Sequence, residues 1–468
     1  MRRSPLFPDF RPFDKARSAL SRIAASRDAL RKTATPRPVP SRTYRYSRLR
    51  WRILVHVFDA VGGLGMRLWR VGRPRRQGVE PKRILVVQLD HLGDAVLSSP
   101  LFPRLRASYP DARIDVLASL SNHAIFEADP RVDRVFVAER NWFERRPGDW
   151  ALGSAVWRLG RRLREEHYDL GIDVRGDILT VLVMTLAGIP RRAGWAMGGG
   201  GFLLTDVAAW VPNRHEVRSR LALIETITGP SDEPCRVSVH VEDVERVRIA
   251  DMLHDAWREP PQKSLVQNTI ARHATSRWRG DALDDPPDAG EYDAQESPLL
   301  AVHLGAGTAA KRWPLRSWKT LIARFLEDGW RVIVVGGVED MDAAASLEPH
   351  PNLRDWTGKL GVTETTALLE RAELFLGVDS GPAHLAACAG VTSVVLFSGT
   401  NRTAQWRPWS RRSLVLSHDV PCRPCHHKTC PLVGHPCMTG LTPDRVYRAA
   451  LRWSRRVNRG EPVHVPFR

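Results

Sequence analysis

Short apolar runs recur at the spacing of parallel strands in two separate stretches of the chain, and this pattern constrains the fold more than any other. RILVVQL (83–89), ARIDVLAS (112–119), VDRVFVA (132–138) and YDLGIDV (168–174) alternate with helix-like segments at 94–107, 151–166 and 179–188. LLAVHLG (299–305), WRVIVVGG (330–337), LFLGVD (374–379) and TSVVLFS (392–398) do the same around 317–329, 364–372 and 382–390. A strand that is apolar on both faces needs helices above and below it, and strand–helix alternation produces parallel pairing through crossover helices. Each stretch therefore predicts a doubly wound α/β layer. Two Rossmann-like domains of similar size facing one cleft follow, with ligands expected at the carboxyl ends of the strands.

The remaining segments frame these two layers. Residues 1–80 carry 20 Lys and Arg against 5 Asp and Glu, whereas the whole chain has a net charge of +18. The body is thus nearly neutral, and the basicity that would suggest a nucleic-acid partner belongs to an appendage. The predicted organisation is a basic arm (1–80), an N-terminal domain (81–254), an acidic, Pro-rich linker or insertion (255–297) and a C-terminal domain (298–468). No apolar run reaches the roughly 18 residues of a membrane span, and the Arg- and Pro-rich N-terminus lacks the apolar core of a secretory signal. A cytoplasmic location is expected.

Within the arm, Leu49, Ile53, Val57 and Val61 recur at helical spacing, with Trp51 and Trp69 near the ends and Arg on both flanks. Such a stripe suits an amphipathic helix on an anionic membrane surface, or one packed on the body through the same residues. Gly62, Gly63 and Gly65 weaken it as a helix. The GGGG run at 198–201 reads as a flexible loop.

Three loops at strand ends could carry chemistry. In VVQLDHLGDAVLSSP (86–100), Asp94 opens a helix after a buried strand, where a carboxylate can take a proton from a substrate hydroxyl or simply cap the helix. In HLGAGTAAKRWP (303–314), Gly305 and Gly307 permit close backbone approach, while Thr308 and Lys311 add a hydroxyl and a cation, a set suited to a diphosphate. In LFLGVDSGPAHLAA (374–387), Asp379, Ser380 and Gly381 lead into a helix with Pro382 in its first turn and His384 one turn along. Amides exposed there would face an anion.

Taken in order, LGD, then KRWP, then GVDSGPAHLAA resembles glycosyltransferase family 9, the lipopolysaccharide heptosyltransferases. YDLGIDVRG (168–176), IPRRAGW (189–195), VVGGVED (334–340) and CRPCHHKTCPLVGHPCMTGLTPDRV (422–446) are similar as well. The resemblance spans about 82–254 and 298–450. It implies a GT-B fold and an inverting, metal-independent transfer of heptose from an ADP-activated donor to a lipid-linked lipopolysaccharide core acceptor, with no cofactor needed for catalysis. It further implies that Asp94 is the catalytic base and that Lys311 is the catalytic cation at the donor diphosphate. Glu339, Leu360, Asp379, Ser380, Gly381 and His384 are implied donor-binding residues, and they join Gly305, Gly307 and Thr308, assigned to the donor from the chemistry of their own loop. An enzyme acting on a membrane-anchored lipid would reside peripherally on the inner face of the cell membrane. The alternatives within the family are another nucleotide-activated sugar or a protein acceptor; a nucleic-acid-binding protein is a distant third.

Four cysteines, Cys422, Cys425, Cys430 and Cys437, are clustered with His426, His427 and His435 between them. Their spacing fits a structural Zn or Fe, plain thiols in a packed loop, or a redox pair. The cluster is expected away from the catalytic loops.

Overall fold

A computed structural model of the chain describes residues 49–70, 80–138, 150–231, 235–258 and 297–461. The arm before Leu49 and the Pro-rich stretch 259–296 lie outside the described residues. The first sheet contains β1 (Arg83–Gln88), β2 (Arg113–Ser119), β3 (Arg134–Ala138), β4 (Leu170–Asp173), β5 (Arg191–Gly194) and β6 (Asp206–Val207) in the order β3-β2-β1-β4-β5-β6. The second contains β7 (Leu299–His303), β8 (Arg331–Val335), β9 (Leu353–Asp355), β10 (Leu374–Val378), β11 (Thr392–Phe397) and β12 (Ser413–Ser417) in the order β12-β11-β10-β7-β8-β9. Every strand pair is parallel.

Both sheets have the same connectivity, reversing their winding direction between the first strand and the fourth. At that reversal the flanking loops diverge to opposite faces and leave a crevice at the carboxyl edge. One such crevice lies between β1 and β4, with Val86 in register with Ile172; the other lies between β7 and β10, with Ala301 opposite Phe375. The apolar runs are buried along almost their whole length because helices cover both faces, as in Ile84–Gln88 and Leu299–His303.

Where the sequence reading and the structure differ, local chemistry gives the reason. The helix expected over 94–107 is two helices, Leu92–Ser98 and Leu101–Ser108, joined at Pro100. Proline has no N–H to continue the hydrogen-bond ladder. Helices Glu216–Thr228 and Pro443–Asn458 and the strands β5, β6, β9 and β12 were not anticipated. Helix Asp243–Ala256 adds Ile249 to a core with Leu299, Ile333, Val335 and Trp356, so the chain joins the second layer before it reaches the Pro-rich stretch.

The helix expected in the arm spans Leu49–Arg70. It docks through a stripe other than the expected one. Val55 is buried, the Gly200 amide donates to Asp59 Oδ1 at 2.7 Å, and the Phe58 and Phe202 rings pack 5.3 Å apart. Ile53, Val57 and Val61 instead face outward, at 54%, 57% and 68% exposure, with Leu54 and Leu64 beside them. The Gly-rich run 198–201 is therefore a shaped seat, not a loose loop. A Cβ on Gly199 (φ +89°) would come within 2.7 Å of Val55, and one on Gly62 would strike the Phe202 ring. Among the described residues no helix is long and apolar enough to cross a membrane.

Candidate active site

At the β1–β4 crevice the chain leaves β1 through Asp90 and His91 and enters helix Leu92–Ser98. His91 occupies the N-cap position and Asp94 lies in the first turn, so Asp94 is not the cap. Its Oδ1 accepts from an Arg220 Nη at 3.0 Å, and the same guanidinium reaches Glu216 at 2.8 Å. Glu216 in turn accepts from Gln405 Nε2 at 2.6 Å, tying helix Glu216–Thr228 to the second half. Across the crevice Arg175 donates to Asp90 Oδ1 at 2.6 Å. Burial, with Asp94 nearby, pushes the Asp90 carboxyl up to about 7 despite Arg175. These groups line a cavity of about 230 Å³ walled by Trp195, Trp210 and Trp406. Arg220 and Glu216 carried no signal in the sequence, and Arg175, although inside the YDLGIDVRG segment, was given no role there. Arg220 is one of several arginines in its neighbourhood, and the carboxylate it holds is 126 residues away.

At the β7–β10 crevice the two donor loops meet. Lys311 Nζ stands 2.8 Å from Asp379 Oδ2, which also accepts from Asn401 Nδ2 at 2.8 Å. Ser380 is the N-cap of helix Gly381–Ala389, with Pro382 in the first turn as expected. Unpaired amides at such a terminus favour an anion. Gly305 is required by crowding: a Cβ there would overlap the buried Asp340 carboxylate, whereas one on Gly307 meets nothing within 4 Å. Thr308 is extended ahead of the short turn Ala309–Lys311. Two further residues join the site unanticipated. His303, the last residue of β7, bonds Asp340 Oδ2 through Nε2 at 3.1 Å and Ser380 Oγ through Nδ1 at 3.0 Å. Glu339 is exposed in the turn after β8. Leu360 is half-buried against the core around Ile249 and Trp356. Val338 and Met341, packed around Gly358, are more exposed than Leu360 at this edge.

The two crevices face each other through direct contact. A Cβ added to Gly93 would come 2.8 Å from the His384 ring, and one on Gly381 would come 2.7 Å from Leu92. The glycine of the LGD segment thus lets the helices carrying Asp94 and His384 touch. Burial lowers His384 to about 4, with Lys311 and Arg220 acting in the same direction against Asp379 and Asp94. Asp94, Lys311, Asp379, Ser380, Gly381 and His384 are therefore brought to one place, the first from one layer and the rest from the other. A base beside a cationic, amide-rich anion cradle can deprotonate a hydroxyl and hold a departing diphosphate.

The cysteine-bearing loop is nearer than expected. Ala310 N donates to Lys428 O at 2.9 Å, and His435 Nε2 lies 3.0 Å from Ala310 O, so the loop braces the segment that presents Lys311. The Cys437 thiol is buried; burial, then the neighbouring Cys430, Cys422 and Cys425, push it up. Yet among the described residues no set of three or more His, Cys, Asp or Glu is arranged to hold a metal ion. The structural Zn or Fe that was one of three readings of Cys422, Cys425, Cys430 and Cys437 thus has no arranged ligand set among the described residues.

Comparison with known proteins gives the family. The profile of glycosyltransferase family 9 (heptosyltransferase) matches residues 156–435. The chain is 26% identical over 370 residues to lipopolysaccharide heptosyltransferase 1 of Pseudomonas aeruginosa, covering 74% of this chain and 87% of that protein. It is 24% identical over 377 residues to lipopolysaccharide heptosyltransferase 2 of Escherichia coli K12, covering 78% of this chain and 96% of that protein. Among solved structures, the ADP-heptose lipopolysaccharide heptosyltransferase II of E. coli superposes with a TM-score of 0.60 at 21% identity, covering 80% of this chain and 99% of that one.

Proposed function

Because the chain belongs to glycosyltransferase family 9, we propose that it transfers heptose from an ADP-activated donor to a lipopolysaccharide core acceptor, inverting the anomeric centre without a metal. The observation that carries this reading is the contact of Gly93 with His384, which sets Asp94 of one layer against the Lys311–Asp379 cradle of the other.

Asp94, held by Arg220, accepts the proton of the attacking acceptor hydroxyl. As that oxygen bonds to the anomeric carbon, the bond from this carbon to the diphosphate oxygen breaks on the opposite face. A single displacement of this kind inverts configuration. Negative charge grows on the departing diphosphate, and Lys311 with the amides at Ser380 and Gly381 stabilises it, the task a divalent metal performs in other sugar transferases. Lys311 reaches the diphosphate by sharing Asp379, whose second partner Asn401 keeps the carboxylate in place. Gly307, with open space where a side chain would stand, leaves room for close approach of the donor.

The acceptor would be anchored in a bilayer, and the outward apolar face of helix Leu49–Arg70 supports residence on the cytoplasmic membrane surface. Docking through Val55 and Asp59 leaves Ile53, Val57 and Val61 free to enter the headgroup boundary, with the basic arm attracted to anionic lipid.

Isothermal titration against ADP-, UDP- and GDP-activated sugars tests the donor assignment. Tight binding of ADP-heptose alone is expected. Preference for a UDP or GDP sugar would move the chain to another branch of the family.

A further inference from the structure

Asp94 Oδ1 accepts from Arg220 Nη2 at 3.0 Å, and Nη1 of the same guanidinium donates to Glu216 Oε2 at 2.8 Å. The Arg220 side chain is 3% exposed, and its buried Nε has no hydrogen-bond partner among the described residues. The guanidinium is therefore held through its two carboxylates. It is planar and its donors form a fixed fork, so a turn at one Nη displaces the other. Whatever fixes Glu216 thus fixes the aim of Asp94.

Glu216 is the first residue of helix Glu216–Thr228. Helical side chains lean back over the preceding turn, and at the first position there is no such turn to pack against. Its carboxylate is fixed from outside the helix, because Oε1 accepts from Gln405 Nε2 at 2.6 Å. Gln405 belongs to the second half, in the short helix Thr403–Trp406 that follows β11. Its neighbour Trp406 walls the cavity in which Asp94 and Arg220 stand. Other contacts dock this turn without Gln405. Val217 N donates to His215 Nδ1 at 3.2 Å, which leaves the ring hydrogen on Nε2 for Arg407 O at 2.9 Å. Trp409 packs 4.6 Å from the His215 ring and donates through Nε1 to Cys235 O at 3.1 Å.

We infer that Gln405 is a positioning residue for the transfer. It acts through Glu216 and Arg220 to aim the Asp94 carboxylate, so the base is set by the layer that holds the donor. Without the Gln405 amide, Glu216 Oε1 loses its outside partner and the carboxylate can turn about its own side chain. Arg220 then follows Glu216, and Asp94 remains in the crevice but is no longer held in one orientation. Rate is sensitive to such a change, because a displacement of about 1 Å at a reacting group can cost a large factor. The inference rests on the reading of Asp94 as the base, since a relay that aims it has an effect on rate only if it takes the proton.

The test uses Gln405→Met, which keeps the length of the side chain and removes its amide, and Glu216→Gln as a second break in the same relay. Single-turnover rates of the full chain are measured with ADP-heptose and a water-soluble acceptor fragment, and the Kd for ADP by calorimetry. Each variant is made in the wild-type and the Asp94→Asn background. Gln405→Met is expected to lower the wild-type rate about tenfold, less than the roughly 100-fold expected on removing the base itself, with the Kd for ADP unchanged. Glu216→Gln should lower it as well, and the double variant should be no slower than the slower single one, as members of one network behave. In the Asp94→Asn background Gln405→Met should leave the rate unchanged, because no base is left to aim. A wild-type rate in Gln405→Met would overturn the inference. So would an equal loss in both backgrounds, which marks a contact that merely holds the layers together. Near-normal turnover of Asp94→Asn alone would instead remove the base reading, and this inference with it.

Discussion

Arg220 holds two carboxylates at once, Asp94 at 3.0 Å and Glu216 at 2.8 Å, while itself almost fully buried. A guanidinium gripping the carboxylate in this way fixes its aim, and positioning is what the proposed role as general base requires. Asp94→Asn should therefore leave donor affinity nearly unchanged while lowering kcat by about 100-fold or more, as measured by steady-state kinetics and donor titration. Near-normal turnover would remove Asp94 from the chemistry. Lys311→Ala should weaken donor binding and turnover together, by about 1.5–3 kcal/mol in each measured free energy, since a charge-assisted contact to the diphosphate is lost. Gly93→Ala would push a methyl into the His384 ring. It should cut activity while each layer keeps its fold, giving an unchanged far-ultraviolet dichroism spectrum with a lowered kcat. Asp94, Lys311 and Asp379 were legible because each lies in the loop or first turn that follows a buried apolar strand. Arg220, His303 and Asp340 were not, because their meaning lies in partners 126, 77 and 37 residues away.

Elements with a strong apolar run were readable, and those without one were not. The strand at 83–88 is buried on both faces and announces itself; β6 has two residues and β9 three, none of them buried, so no periodicity marks them. Helix Leu49–Arg70 was visible as a stripe, but which face docks was decided by features the stripe does not contain. Asp59 finds the Gly200 amide and Gly62 makes room for Phe202. The consequence is testable at the level of the helix. Replacing Ile53, Val57 and Val61 with Asn should abolish sedimentation with anionic liposomes at moderate salt yet preserve turnover on a water-soluble acceptor fragment, because the docking residues are untouched. Unchanged sedimentation of that variant would place the membrane contact elsewhere. Loss of solubility would show that the stripe packs on protein.

At the scale of the whole molecule, the two layers are joined by groups that prefer to be uncharged. Burial lowers His384 to about 4 and His215 to about 3; His215 also bonds Arg407 O across the halves at 2.9 Å. Folded pKa values below the unfolded histidine value mean that protonation favours the unfolded chain. Stability from these two residues is present above about pH 6.5 and is lost as pH falls toward 4. The thermal midpoint should drop across that window, and His384→Gln should flatten the drop; a midpoint rising on acidification would contradict the assignment. The doubly wound order of both sheets brings the helix after β1 against the helix after β10, and the proposed transfer is placed at that contact. The most direct measurement incubates the full chain with ADP-heptose, a lipopolysaccharide core acceptor and EDTA, and reads the linkage by nuclear magnetic resonance. Stoichiometric ADP and a product of anomeric configuration opposite to the donor are expected. A product retaining the donor configuration, or transfer that stops in EDTA and returns with a divalent cation, would contradict the account.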